Sequence, residues 1–169
     1  MGLYEVPGIT LIPQQLKNSC WYASTQMLIQ WRMDKTHQSL PWLVPPELDA
    51  ECQNIRDGNA GIFNPQILPM ARRIGLKEVP PQTPTVATLE NWLRIYGPLW
   101  VNGKSHIVVI GGINTTKMEA KVYDPAPVGV GRIEWRSLRD WYLAGASPST
   151  RDTGKDVDAV FLYVPTVKG

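Results

Sequence analysis

The chain has 169 residues, 43% hydrophobic and 19% charged, the proportions of one globular domain with a real core rather than a disordered segment. Its net charge of +2 is too small to argue for nucleic acid or an anionic membrane surface as partner. With two cysteines, no CxxC or HExxH spacing and no run of roughly 18 apolar residues, a disulfide scaffold, a Cys-rich zinc site and a membrane span are excluded, and no metal or organic cofactor is implied.

Residues 1–18 read as an extended leading segment broken by Pro7-Gly8 and Pro13. Ser19 is the expected N-cap of a helix over about Cys20–Met33. Its apolar positions Tyr22, Ala23, Met27, Ile29 and Trp31 spread around the axis, the pattern of a central, buried helix. Pro41, Pro45 and Pro46 then enforce a loop. Glu47–Arg56 predicts a short helix. Asn64-Pro65 reads as an N-cap followed by proline at the first helical position, with the helix passing Met70 and Ile74 to stop at Gly75. Val79–Pro84 is extended, and Val86–Tyr96 carries Leu89, Trp92, Leu93 and Tyr96 at helical spacing before Gly97-Pro98. The pattern then changes to strands: Leu99–Val101, His106–Ile113, Glu119–Asp124 and Gly131–Trp135, with a turn at Asn114-Thr115-Thr116-Lys117. Ser137–Leu143 predicts one or two helical turns, Gly145–Asp156 a polar loop and Ala159–Val164 a last strand. Helices first and antiparallel strands second predict a single α+β domain over 1–169, with a helical lobe over about 15–97 and a β lobe over about 98–169.

Cys20 stands where loop becomes helix, in Gln14-Gln15-Leu16-Lys17-Asn18-Ser19-Cys20-Trp21-Tyr22-Ala23-Ser24. The thiolate is the nucleophilic form of cysteine, and a helix N-terminus favours it with a partial charge of roughly half a unit. His106, one of two histidines, opens the apolar run Ile107-Val108-Val109-Ile110, and Asp124 ends the next strand. Antiparallel neighbours can bring such a pair together. The carboxylate would then orient the imidazole while the imidazole activates the thiol, which are the parts of a Cys-His-Asp nucleophilic site. The tetrahedral oxygen also needs donors, for which the Cys20 N–H and the side chain of Gln14 or Gln15 are available. Taken singly, each residue has a plainer reading. A lone helical cysteine is ordinarily a small buried hydrophobe, His106 a satisfied core histidine, and Asp124 before Pro125 a turn residue. The combination is what points to chemistry. Cys52 and His37 have no neighbouring pattern and read as structural or surface, and Trp21 reads as packing. Gly111-Gly112 lies inside a strand without the spacing of a phosphate loop.

The run Gln14-x5-Cys20-Trp21-x-Ala23 resembles the nucleophile segment of the papain-like (clan CA) cysteine proteases. His106 at the head of a C-terminal sheet and Tyr123-Asp124-Pro125-Ala126 extend the resemblance, which is strongest toward small bacterial members, the AvrRpt2-type effector proteases and the C39-like peptidases. Two departures separate the chain from plant and lysosomal papains. It has Asn18-Ser19-Cys20-Trp21 in place of Cys-Gly-Ser-Cys-Trp, and its Cys–His separation is shorter than their roughly 130–150 residues. The resemblance implies a papain-like fold and a cysteine endopeptidase acting through an acyl-enzyme thioester. Cys20, His106 and Asp124 would be the triad and Gln14 the oxyanion-hole residue. It further implies a protein substrate, a Gly-Gly-type cleavage site as in C39-like relatives, and a bacterial effector or toxin role in a target cell. Toxin members commonly have a cognate immunity protein. The N-terminus lacks the basic and apolar regions of a signal peptide, so the expectation is bacterial cytoplasm, delivery by a specialised system, or a module of a longer protein. Two other readings stay open: an amidase, transglutaminase-like or peptidoglycan-directed hydrolase using the same triad, and a non-enzymatic binding module.

Overall fold

The structure, a computed structural model, describes residues 2–37, 40–79, 85–102, 106–138 and 160–166. Of the helical turns expected over Ser137–Leu143, Ser137 ends a strand instead and the residues after Leu138 lie outside the described residues, as do the polar loop at 145–156 and most of the extended run to Pro84. Among these residues, four helices and seven strands give an α+β fold. Helix α1 (Cys20–Thr36) is buried almost all round, with Trp21, Ala23, Met27, Leu28, Ile29 and Trp31 inside. It runs a turn past its expected end, until His37 adopts a left-handed φ of 55° and its N–H bonds the Met33 carbonyl. Ser19 precedes the helix, but its side chain does not cap it. Its Oγ instead accepts the Leu16 N–H and donates to the Leu16 carbonyl, closing the preceding loop.

Pro46–Leu48 forms a 3₁₀ turn and α2 follows over Ala50–Gly58. The helix starts later than expected because Asp49 is extended and caps it, accepting the Cys52 N–H. Helix α3 spans Asn64–Ile74. Phe63, not Asn64, occupies its N-cap position, and the Gln66 side chain accepts the Phe63 N–H. Helix α4 (Val86–Tyr96) is capped by the Thr85 hydroxyl.

The strands are β1 (Leu3–Glu5), β2 (Lys77–Glu78), β3 (Leu99–Asn102), β4 (Ile107–Asn114), β5 (Glu119–Asp124), β6 (Arg132–Ser137) and β7 (Phe161–Tyr163). They pair antiparallel in the order β2-β7-β3-β4-β5-β6. On one edge of β4, β3 covers Ile107–Ile110 and β1 covers Gly112–Asn114. Gly111 falls between them, where β5 also slips register. A Cβ on Gly111 would meet Ile9 Cδ1 at 2.5 Å and the Tyr123 ring at 2.6 Å, which explains a glycine in a strand interior.

Strand alternation fills both faces of the sheet. Val101, Val108, Ile110, Val122 and Phe161 pack against Leu89, Trp92 and Leu93 of α4. Trp100, Val109, Tyr123 and Leu162 pack on the other face against Trp21, Met27 and Leu28 of α1, and that core continues into Cys52, Ile67, Met70 and Ile74. Among the described residues no helix is long and apolar enough to cross a membrane.

Candidate active site

The start of α1 is fixed from both sides. The Gln14 N–H donates to the Pro125 carbonyl (3.0 Å), and the Gly129 N–H donates to the Gln14 carbonyl (2.8 Å). The loop ahead of Cys20 is thereby tied to the loop after Asp124. Asn18 clamps the same loop to the end of α2, its N–H donating to Asn59 Oδ1 (3.0 Å) and its Nδ2 to the Asn59 carbonyl (2.8 Å). On the sheet side, Trp100 Nε1 donates to the Trp21 carbonyl and to Thr25 Oγ1, both at 3.2 Å. Ser24 Oγ donates to the Ile107 carbonyl (3.3 Å). Ile107 follows His106, so this bond sets the first turns of α1 against the residue that carries the imidazole.

His106 stands just before β4 and Asp124 ends β5, and the structure brings the two together, with His106 Nε2 2.6 Å from Asp124 Oδ1. That contact leaves Nδ1 as the ring nitrogen that can meet the Cys20 thiol, and Cys20 is close enough to act on the imidazole and raise its pKa. The Asp124 carboxylate is buried and fully engaged. Oδ1 also accepts the Ala126 N–H (2.9 Å), and Oδ2 accepts Arg136 Nη2 (2.5 Å).

Burial disfavours a charged imidazole, but the hydrogen bonds to Asp124 and Cys20, with the charges behind them, outweigh it and raise the His106 pKa to about 9. Burial likewise works against the Asp124 charge. Hydrogen bonds from His106, Arg136 and the Ala126 N–H prevail and lower its pKa to about 2. The pair is therefore imidazolium and carboxylate at neutral pH. The other thiol, Cys52, is fully buried. Burial first, then its hydrogen bond to Asp49, pushes it up to about 12.

A cleft of about 380 Å³ opens in front of Cys20 and His106. Trp21, Ile62, Phe63, Ile67 and Ile107 form apolar walls, and Asn18 and Asn102 add polar ones. Gln14 does not line this cleft; it faces a neighbouring hollow together with Gln15 and Ser19. Its Nε2 donates to the Leu16 (2.9 Å) and Lys17 (2.8 Å) carbonyls, which uses both amide hydrogens. Gln15 Nε2 reaches only the Pro13 carbonyl, at 3.3 Å. His37 caps the far end of α1, remote from the site. No group of three or more His, Cys, Asp or Glu among the described residues could hold a metal ion.

Four contributors were not read from the sequence. Arg136 was legible in principle: Arg132, Glu134 and Arg136 alternate on β6, the strand that pairs with β5, so one face of that strand brings charge to Asp124. Asn59 follows a predicted helix and takes a left-handed φ of 51°, and the Gly58-Asn59 pair is a turn signal. The wall residues Ile62 and Phe63 carry no such signal, because their place depends on how the 59–63 loop meets the Asn18 loop.

An imidazole held by a buried carboxylate beside a cysteine at the head of a central helix, that helix packed on an antiparallel sheet, agrees with the papain-like fold. The chain belongs to the family described as papain-like cysteine protease AvrRpt2, which matches residues 3–140. No individually curated protein matches it. The protein is a cysteine protease, and its substrate is a protein.

Proposed function

We propose that Cys20, His106 and Asp124 are the catalytic set, and that the cleft beside Cys20 takes a large apolar side chain next to the cleaved bond. The imidazole carries this reading: Nε2 on Asp124 at 2.6 Å and Cys20 close enough to raise its pKa. The Cys20 thiolate attacks the scissile carbonyl carbon, and the carbonyl π pair moves to oxygen. His106 gives its Nδ1 proton to the departing amine, the C–N bond breaks, and a thioester remains. Water then attacks, losing its proton to the neutral imidazole, and the thiolate leaves. Asp124 stays ionised and holds the ring through Nε2.

The Cys20 N–H opens α1 and is outside its hydrogen-bond ladder, which makes it the first oxyanion donor. Gln14 is the second donor that the resemblance implies; to serve, its amide would have to release the Leu16 or Lys17 carbonyl and turn from its own hollow into the cleft. Losing a donor of this kind costs about 3–4 kcal/mol of transition-state stabilisation. The effector or toxin role, with an immunity protein for a toxin, follows from the resemblance of Gln14-x5-Cys20-Trp21 to bacterial members of the superfamily. A bare Gly-Gly sequence would leave the walls formed by Ile62, Phe63, Ile67 and Ile107 uncovered. Glycine therefore suits only the position at the bond itself, with an apolar neighbour.

Digesting a mixed peptide library with the wild type and Cys20→Ala tests both halves. Wild-type cuts should cluster beside a large apolar side chain, and the variant should cut nothing. Turnover by Cys20→Ala overturns the nucleophile, and equally fast cleavage of Gly-Gly peptides without an apolar neighbour overturns the assignment of the cleft.

A further inference from the structure

Away from the cleft, Arg32 is a buried cation that has no counter-charge among the described residues. It lies on α1 about 18 Å along the helix axis from Cys20 and is 6% exposed. Its Nη2 donates to the Val164 carbonyl (3.0 Å), its Nε is buried with no acceptor, and its guanidinium sits 4.8 Å from the centre of the Trp31 ring. Burial alone shifts its pKa, downward, with no carboxylate working in the other direction. Proteins rarely retain a buried ion that nothing pairs.

Arg32 lines a pocket of about 260 Å³ together with Lys77, Ile95, Tyr96, Tyr163 and Pro165. The Tyr96 and Tyr163 rings stack with centroids 4.0 Å apart and give the pocket an aromatic wall. Lys77 pairs in register with Tyr163 across β2 and β7 and is exposed at the rim. No Asp or Glu lines the pocket among the described residues. The C-terminus of α4, which ends at Tyr96, brings a partial negative charge of roughly half a unit, which the two cations outweigh.

We propose that this pocket binds an oxyanion, a carboxylate or phosphoryl group, carried on a small aromatic or aliphatic body. Arg32 is the charge partner, Lys77 guards the rim, and the stacked tyrosines hold the apolar part. The guanidinium presents donors in a planar fork that matches two oxygens of such a group. A bare phosphate would leave most of the volume empty, so the body should add affinity.

The test is calorimetric titration of the full chain at constant ionic strength with phenyl phosphate, phenylacetate, inorganic phosphate and benzyl alcohol. At least one of the two aromatic anions should bind saturably, and which one does decides between the phosphoryl and carboxylate sources. Inorganic phosphate should bind about tenfold more weakly or worse, and the neutral alcohol not at all. Arg32→Met should weaken binding at least about tenfold, the scale of one charge-assisted bond, while the ligand-free variant keeps or raises its Tm because an unpaired buried charge is gone. Lys77→Met should weaken binding about threefold, as fits a solvent-exposed charge. Absence of saturable binding, or unchanged affinity in Arg32→Met, overturns the proposal. So does protection of Cys20 from alkylation in step with occupancy, which would put the anion in the cleft, and a large fall in the ligand-free Tm, which would mean Arg32 is already compensated. Should Arg32→Met not fold, Arg32→Lys decides: it keeps the charge without the fork and should still lose affinity.

Discussion

Asp124→Asn keeps the shape of the site and removes its logic. The carboxylate accepts on both oxygens, from His106 and the Ala126 N–H at Oδ1 and from Arg136 at Oδ2. Asparagine offers one oxygen and one NH₂. With the oxygen toward His106, the NH₂ meets the Arg136 guanidinium donor to donor. With the amide flipped, it meets His106 Nε2 and pushes the ring toward the wrong tautomer. Either way one charge-assisted bond is lost, about 1.5–3 kcal/mol, or roughly 10–150-fold in the rate of a step that depends on His106. Arg136 is the reason asparagine cannot serve here, so its removal should relieve the conflict. Asp124→Asn combined with Arg136→Met is expected to recover about tenfold over Asp124→Asn alone, although Arg136→Met by itself slows the enzyme. The assay is peptide turnover and Cys20 alkylation across pH. The alkaline limb, set by the His106 pKa of about 9, should move to lower pH in Asp124→Asn. Wild-type rates in Asp124→Asn, or penalties that simply add in the double variant, would refute the reasoning.

Stability should depend on pH on both sides of the same pair. The raised His106 pKa contributes stability that is complete below its unfolded value of about 6.5 and is lost as pH rises through about 9. The lowered Asp124 pKa contributes stability that is complete above about 4 and is lost as pH falls toward about 2. Thermal melts should therefore peak between about pH 4 and 6.5, and Cys20→Ala should flatten the alkaline decline; a Tm that holds level from pH 6 to 9 contradicts this. Gly111→Ala should destabilise by about 1–3 kcal/mol, since its Cβ would sit 2.6 Å from the Tyr123 ring, and denaturant unfolding measures it. His106→Ala should lose more activity than Asp124→Ala, because one removes the proton carrier and the other only its support; equal residual rates would mean that Asp124 does more than orient.

The helices and central strands were readable because their signals are local. Leu89, Trp92 and Leu93 at helical spacing, and the alternation through β4 and β5, state which face is buried before any partner is known. The short strands were not: Leu3–Glu5 and Lys77–Glu78 lack a pattern of their own and exist because β4 and β7 present free edges. The side-chain cap expected at Ser19 is absent for the same kind of reason, its hydroxyl being taken by Leu16. Cys20, His106 and Asp124 could be singled out because strand order and a helix start limit where they can go. The cleft walls depend on how loops meet, which sequence spacing does not encode; the alternation on β6 does encode a charged face beside Asp124, though not which of its side chains reaches the carboxylate. Gln14 shows the limit most clearly. Its position before Cys20 is plain from the sequence, yet only the structure shows its amide donating to two backbone carbonyls outside the cleft.

The most direct test of the proposed site is intact-mass analysis with peptide mapping after brief treatment with iodoacetamide or the epoxide E-64 at pH 6. The expected result is selective labelling of Cys20, loss of that labelling in His106→Ala, and no reaction at Cys52, whose thiol is buried and pushed up to about 12. Slow, equal labelling of both thiols, or Cys20 labelling that is indifferent to His106, would contradict the account.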